Sequence, residues 1–139
     1  MAAAEAAVSC KSEIRVVRSV GEALPFPDAT FDAVTASTVL CSVASPPTVL
    51  EEFARVLRPG GKLRLLEHVR SEHWLAGPLM DLFNPLWLKL NGGGCNWNRR
   101  SVETVRTSPF AVTSISSHKV LSTVTPAFPL RLIMAERLG

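Results

Sequence analysis

The stretch from Phe31 to Val69 constrains the chain more than any other. It opens with FDAVTASTVLCSV, a run rich in β-branched residues and apolar nearly throughout, the pattern of a strand buried on both faces. Pro46 and Pro47 follow at a helix start, where a missing N–H costs little. The helix places Val49, Leu50, Phe53, Val56 and Leu57 on one side, while Glu51, Glu52, Arg55 and Arg58 fall largely on the other. Arg58-Pro59-Gly60-Gly61 predicts a tight turn, with proline presetting φ and glycine supplying φ > 0. Lys62 to Val69 returns as a strand. A strand, a helix and a strand at these lengths form a parallel unit with the helix on one face.

The wording of this stretch resembles a known family. PFPDATFDAV followed by VLEEFARVLRPGGKLRLLEH is similar to the second half of a class I S-adenosylmethionine-dependent methyltransferase. VLCSV, LRPGGKL, LEHV and GCNWNR are similar to the branch of ubiquinone/menaquinone C-methyltransferases and thiol methyltransferases, the methyltransferase type 11 group. The resemblance spans roughly residues 12 to 108. It implies an α/β fold: a Rossmann-like sheet holding strands three to seven of the family order three, two, one, four, five, seven, six. The last two strands would form an antiparallel hairpin, with the final one inserted beside the fifth. Residues 1–139 then read as a single partial methyltransferase domain, N-terminally truncated.

Two departures from the family pattern bear on the cofactor. Such enzymes open with a strand and a GxGxG turn against the cofactor, then an acidic residue that binds its ribose hydroxyls. The only glycine before Gly60 is Gly21, and neither feature is present. The family's GDAEALPF reads SVGEALPF here, so Val20 stands where an aspartate would accept a hydrogen bond from the adenine amino group. Gly21 would offer a backbone N–H, and Glu22 reads either as a substitute acceptor or as a solvated loop acid. S-adenosylmethionine is therefore the implied cofactor, with weak or absent binding expected of this chain.

In open α/β sheets ligands lie beyond the carboxyl ends of the strands. At the end of the first strand the resemblance places cofactor contacts on Ser37, Thr38 and Leu40, with Cys41 beside the methyl acceptor. Cys41 reads as a buried inert thiol or as a nucleophile with a lowered pKa. Glu67 and His68 end the next strand; they read as a general base and substrate positioner, or as caps of the sheet. Phe26 and Phe31 read as core plugs and Asp32 as a structural acid.

Residues 74–91 carry Leu79, Leu82, Phe83, Leu86, Trp87 and Leu90 at helical spacing, with Asp81, Asn84 and Lys89 opposite and Pro85 as a kink or break. The segment reads as a core helix or as a lid in which Trp87 meets an apolar substrate; interruptions exclude a membrane span, and membrane contact is the less favoured reading. Gly92 to Gly94 reads as a helix stop, Asn98 as the cap of a helix near Arg99, and Ser108-Pro109 as its end. IRVVRSV, residues 14–20, reads as a strand after the tail of an alanine-rich helix. Residues 110–122 and 129–136 read as two strands joined by TPAFP.

Composition narrows the partners. Apolar residues make up 47%, enough for a core, and the net charge of +3 is spread without a basic stripe, which argues against nucleic acid. Three cysteines, no CxxC and no secretory pattern point to reduced thiols and a cytoplasmic setting. The absence of HExxH and CxxC spacing sets metal aside. The implied activity is methyl transfer to a small apolar acceptor, Glu67 or His68 removing a proton where needed. The alternative is a non-catalytic fragment or partner-binding remnant of the same fold, self-associating through an open sheet edge.

Overall fold

The computed structural model describes residues 13–92, 94–119 and 129–139. The alanine-rich start, Cys10 and residues 120–128, which hold the end of the expected 110–122 strand and most of TPAFP, lie outside the described residues. Four strands form one sheet: β1 (Phe31–Ser37), β2 (Leu57–His68), β3 (Phe110–Lys119) and β4 (Pro129–Arg137), in the order β1-β2-β4-β3. β1 and β2 run parallel, with Val34 opposite Leu63 and Ser37 opposite Leu66. β4 pairs antiparallel with both β2 and β3, so the last strand is inserted beside the parallel pair, as the family order implies.

Helix α1 (Pro46–Val56) makes the crossover between β1 and β2. Its apolar stripe of Val49, Leu50, Phe53 and Val56 is buried, and the prolines stand in its first turn. The core joins this stripe to Leu63 and Leu65 of β2, Ile133 and Ala135 of β4, Phe110 of β3 and Val105 of α3 (Ser101–Arg106). From Gly61 to Val69 inward residues are buried and outward ones are not, the alternation of a sheet covered on one face.

Several expectations need correction. The helix ends at Val56, and Leu57 to Gly61 already belong to β2. The register shift between Phe31 and Ala33 absorbs the extra residues, and Gly60 takes φ +72 there. β1 is not buried on both faces: only Ala36 is buried, because β1 is the sheet edge among the described residues. Residues 14–19 form no strand and are exposed; the segment makes a single bridge, from Val20 to Ala23.

The largest correction concerns α2 (Ala76–Asn91). Pro85 lies inside it without ending it, and Gly92, with φ +56, closes it. Only Gly77 and Asn84 are buried, whereas Leu79, Leu82, Phe83, Leu86 and Leu90 are exposed, Leu82 by 70%. The face that reads as core is turned outward, and the face marked by Asn84 is turned in. The buried side is held by polar contacts. Asn84 donates to Asn96 (3.1 Å), Trp97 donates to the Met80 carbonyl (2.9 Å), and Arg70 forks onto Asp81 (2.8–3.1 Å). Gly77 is required there: a Cβ would fall 2.5 Å from the Arg70 guanidinium and 2.6 Å from the Ser71 carbonyl. Asn98 donates to Asp81 and does not cap α3. No helix among the described residues is long and apolar enough to cross a membrane.

Candidate functional site at the carboxyl ends of β1 and β2

β1 leaves the sheet at Ser37, and the chain must turn back toward α1. It does so through Thr38, which has φ +54, a left-handed conformation that a β-branched residue adopts at a cost. The Thr38 N–H still donates to the Leu66 carbonyl (2.7 Å), extending the parallel ladder by one bond.

The next three residues are pinned by one side chain. Glu67, fully buried at the end of β2, accepts the N–H of Val39 (2.9 Å), Leu40 (3.0 Å) and Cys41 (3.3 Å). Its carboxylate fills a nest of backbone donors left unpaired by the turn. Burial pushes the Glu67 pKa up, against those three N–H groups, which favour the anion. Glu67 thus holds the loop, with both oxygens engaged, and Leu40 is turned fully into the core with its N–H taken.

His68 projects to the opposite side of β2, as adjacent strand residues must. Its Nδ1 lies 3.8 Å from the Cys95 sulfur, which in turn lies 3.4 Å from that of Cys41. Burial lowers the His68 pKa, favouring neutral imidazole, and burial pushes the Cys41 pKa up to about 12.

Cys95 arrives on the segment 94–99 between α2 and α3, where a web of hydrogen bonds locks it in place. The Asn96 N–H donates to the Cys41 carbonyl (2.7 Å), and its side-chain amide reaches the same oxygen (3.2 Å). The Cys95 carbonyl accepts from Trp87 Nε1 and Asn91 Nδ2, both at 3.0 Å. Trp87 and Trp97 stack face to face, 4.7 Å apart and 2° from parallel. His68, Trp87, Cys95 and Trp97 line a cavity of about 40 Å³.

Ser37 and Thr38 are exposed beside this group. Glu67, His68, Cys41 and Trp87, which the resemblance associates with chemistry, therefore converge on one end of the sheet. Glu22 does not join them. It accepts the N–H of Ala44 (3.1 Å) and Ser45 (3.3 Å), capping the entry to α1. Gly21 packs against Val49, where a Cβ would come within 3.2 Å, and Val20 is 61% exposed. Cys95, Asn96 and Trp97 were visible only as part of GCNWNR; their spacing from Cys41 and His68 gives no hint of contact. A larger cavity of about 280 Å³ lies elsewhere, lined mainly by charged side chains, among them Arg70, Glu72, Arg99, Glu103 and Arg131.

Comparison with known proteins accords with this geometry. The methyltransferase-domain family matches residues 1–65. The human thiol S-methyltransferase TMT1B is 40% identical over 86 residues, covering 60% of this chain and 34% of that protein. The ubiquinone/menaquinone biosynthesis C-methyltransferase UbiE of Marinomonas sp. (strain MWYL1) is 34% identical over 100 residues, covering 69% and 40%. A SAM-dependent methyltransferase of Methanosarcina mazei superposes with a TM-score of 0.65 at 20% identity, over 85% of this chain and 64% of that one. Together these likenesses support a class I S-adenosylmethionine-dependent methyltransferase fold. The chain spans about a third to two fifths of the length of these curated relatives.

S-adenosylmethionine is the cofactor of this family. Of the residues the resemblance assigns to it, Ser37 and Thr38 are exposed at the strand end, whereas Val20 offers no side-chain acceptor and Glu22 is engaged. Among the described residues no glycine-rich turn stands beside β1.

Proposed function

We propose that this chain forms the acceptor-side wall of a methyl-transfer site acting on a small, apolar acceptor. The convergence of Ser37, Thr38, His68, Trp87, Cys95 and Trp97 at the carboxyl end of the parallel strands carries this reading. When bound, S-adenosylmethionine supplies an electrophilic sulfonium methyl group, and in-line positioning of the acceptor supplies most of the rate. Ser37 and Thr38 contact the cofactor. The stacked indoles exclude water and orient the acceptor, and neutral His68 accepts its proton at a ring nitrogen. Glu67 acts as a positioning residue, holding the loop from Val39 to Cys41 in place. The small apolar cavity and the likeness to a thiol S-methyltransferase favour a small thiol over a larger ring system.

Transfer of labelled methyl from S-adenosylmethionine at millimolar concentration to small aliphatic thiols tests the reading, with quinols in parallel. Thiol methylation that falls at least tenfold in Trp87→Ala, which leaves the sheet untouched, is expected. No methylation of either class would leave the alternative, a partner-binding member of the same fold. Calorimetry addresses the cofactor separately. Loss of about 1–3 kcal/mol for each missing polar contact predicts no saturable binding at micromolar concentration. A micromolar Kd would overturn that expectation.

A further inference from the structure

Spacing in the sequence sets metal aside, yet the fold assembles Cys41, His68 and Cys95 from three separate segments. Their ligand atoms all lie within 4.8 Å of one another. We propose that these three side chains form a zinc-binding site of the Cys2His type with its fourth position open. Zinc would take the His68 lone pair that the methyl-transfer reading uses to accept a proton, so the two roles exclude each other at that residue, while the zinc measurement itself needs no methyl transfer.

The distances carry the argument. A tetrahedral zinc ion with bonds of about 2.3 Å to sulfur and about 2.0 Å to nitrogen separates two sulfurs by about 3.8 Å, and sulfur from nitrogen by about 3.5 Å. The observed separations are 3.4 Å between the sulfurs and 3.8 Å from Cys95 to His68 Nδ1. Both edges match within about half an ångström, and the third lies within 4.8 Å. Two thiolates also neutralise a divalent cation, which a buried site requires, and soft sulfur ligands select zinc over magnesium or calcium.

The site is held by its surroundings. Both cysteines share a frame, since the Asn96 N–H donates to the Cys41 carbonyl while Trp87 and Asn91 hold that of Cys95. Glu67 fixes the Cys41 N–H from the other side. Such outer contacts orient ligands and tune affinity. Cys95 is half-buried, which leaves an entry path, and the adjoining cavity of about 40 Å³ gives the fourth ligand room for a water or a single small donor. Three protein ligands with an adjacent space mark a site that exchanges a ligand, as opposed to a closed structural one.

The test uses the 139-residue chain carrying Cys10→Ala, so that only Cys41 and Cys95 remain as thiols. The reduced chain is dialysed anaerobically against zinc, and the bound metal is counted by atomic emission. One zinc per chain is expected, with both thiols protected from alkylation. Cobalt in its place should give a thiolate-to-metal charge-transfer band and tetrahedral d–d bands. Cys95→Ser, in a loop outside the core, and His68→Gln should each weaken zinc binding at least about tenfold while far-ultraviolet circular dichroism stays unchanged. A reduced chain that retains no zinc would overturn the proposal. So would zinc affinity untouched by folded Cys95→Ser, or a Cys41–Cys95 disulfide forming with zinc present in excess.

Discussion

Replacing Glu67 by alanine removes the one group that satisfies three backbone donors in the turn after β1. Each buried N–H left unpaired costs about 1–3 kcal/mol. Water entering the vacated space and relief from burying a carboxylate offset part of this, leaving a net loss of about 3–5 kcal/mol. Total stability for a domain of this kind is about 5–15 kcal/mol, so the variant should approach the folding threshold. Thermal unfolding followed by circular dichroism should show a midpoint lowered by about 10–20 °C. Glu67→Gln imitates the protonated acid and keeps one oxygen for two donors, so its loss should be nearer about 1–2 kcal/mol. The pH dependence gives an independent check. Because burial raises the folded pKa of Glu67, the folded state binds its proton more tightly than the unfolded state. Its contribution is most favourable below the unfolded pKa and declines as pH rises toward the folded one. Glu67→Gln should flatten that slope. A loss under about 1 kcal/mol in the alanine variant, read from chemical denaturation, would refute the claim that this carboxylate organises the turn.

Three further outcomes follow from the same geometry. Thr38→Gly should stabilise the chain by about 0.5–1 kcal/mol in urea titration, since a β-branched residue holds φ +54 there. Leu82→Glu should change the thermal midpoint little and raise solubility, whereas Leu50→Ala should cost about 2–5 kcal/mol in the same melts, because Leu82 is 70% exposed and Leu50 is fully buried. Glu52, hydrogen-bonded to Arg55 and to the Leu24 N–H, has its pKa lowered from 4.5 to about 2. Its contribution is complete above the unfolded pKa and disappears as pH falls through the folded one. After solvent screening it is worth about 1–2 kcal/mol, and Glu52→Gln should remove that part of the acid-limb slope in melts between pH 5 and about 2.

What could be read from the chain follows the range of each interaction. Periodicity in VLEEFARV and the alternation after Gly61 concern residues a few positions apart, and burial in the fold repeats both patterns. Pairing of the last strand beside β2 came with the resemblance alone, since nothing local in PLRLIMAER names its neighbour. α2 defeats the same logic. Leu79, Leu82, Phe83, Leu86 and Leu90 have a helical period, but period identifies a face and not what covers it. Here Asn84, Asp81 and Gly77 supply the specific contacts that orient the helix, and the leucines are left outside. In 14–20 the β-branched residues suggest a strand, yet a strand needs a partner, and among the described residues none pairs with it beyond the bridge at Val20.

The site divides along the same line. That Ser37 to Cys41 and Glu67-His68 end two parallel strands is a matter of topology, so a strand-helix-strand reading brings them together. Their roles depend on direction and on third parties. Glu67 and His68 are neighbours, yet strand alternation sends one into the loop after β1 and the other to the opposite side. Glu67 spends both oxygens on the backbone N–H groups of Val39, Leu40 and Cys41, which a dipeptide alone does not reveal. Cys95 is fifty-four positions from Cys41, and the polar lock of Asn84, Trp87, Asn91 and Asn96 holds it there. The GCNWNR segment is legible afterwards as a clasp: Asn96 donates to the Cys41 carbonyl, Asn98 donates to Asp81, and Trp97 stacks on Trp87. The consequence is that the surroundings of His68 and Cys41 owe their shape to α2 and the clasp as much as to the sheet. Changes in Asn84 or Asn96, distant from any reacting atom, should alter the cysteine–histidine geometry before they alter the fold.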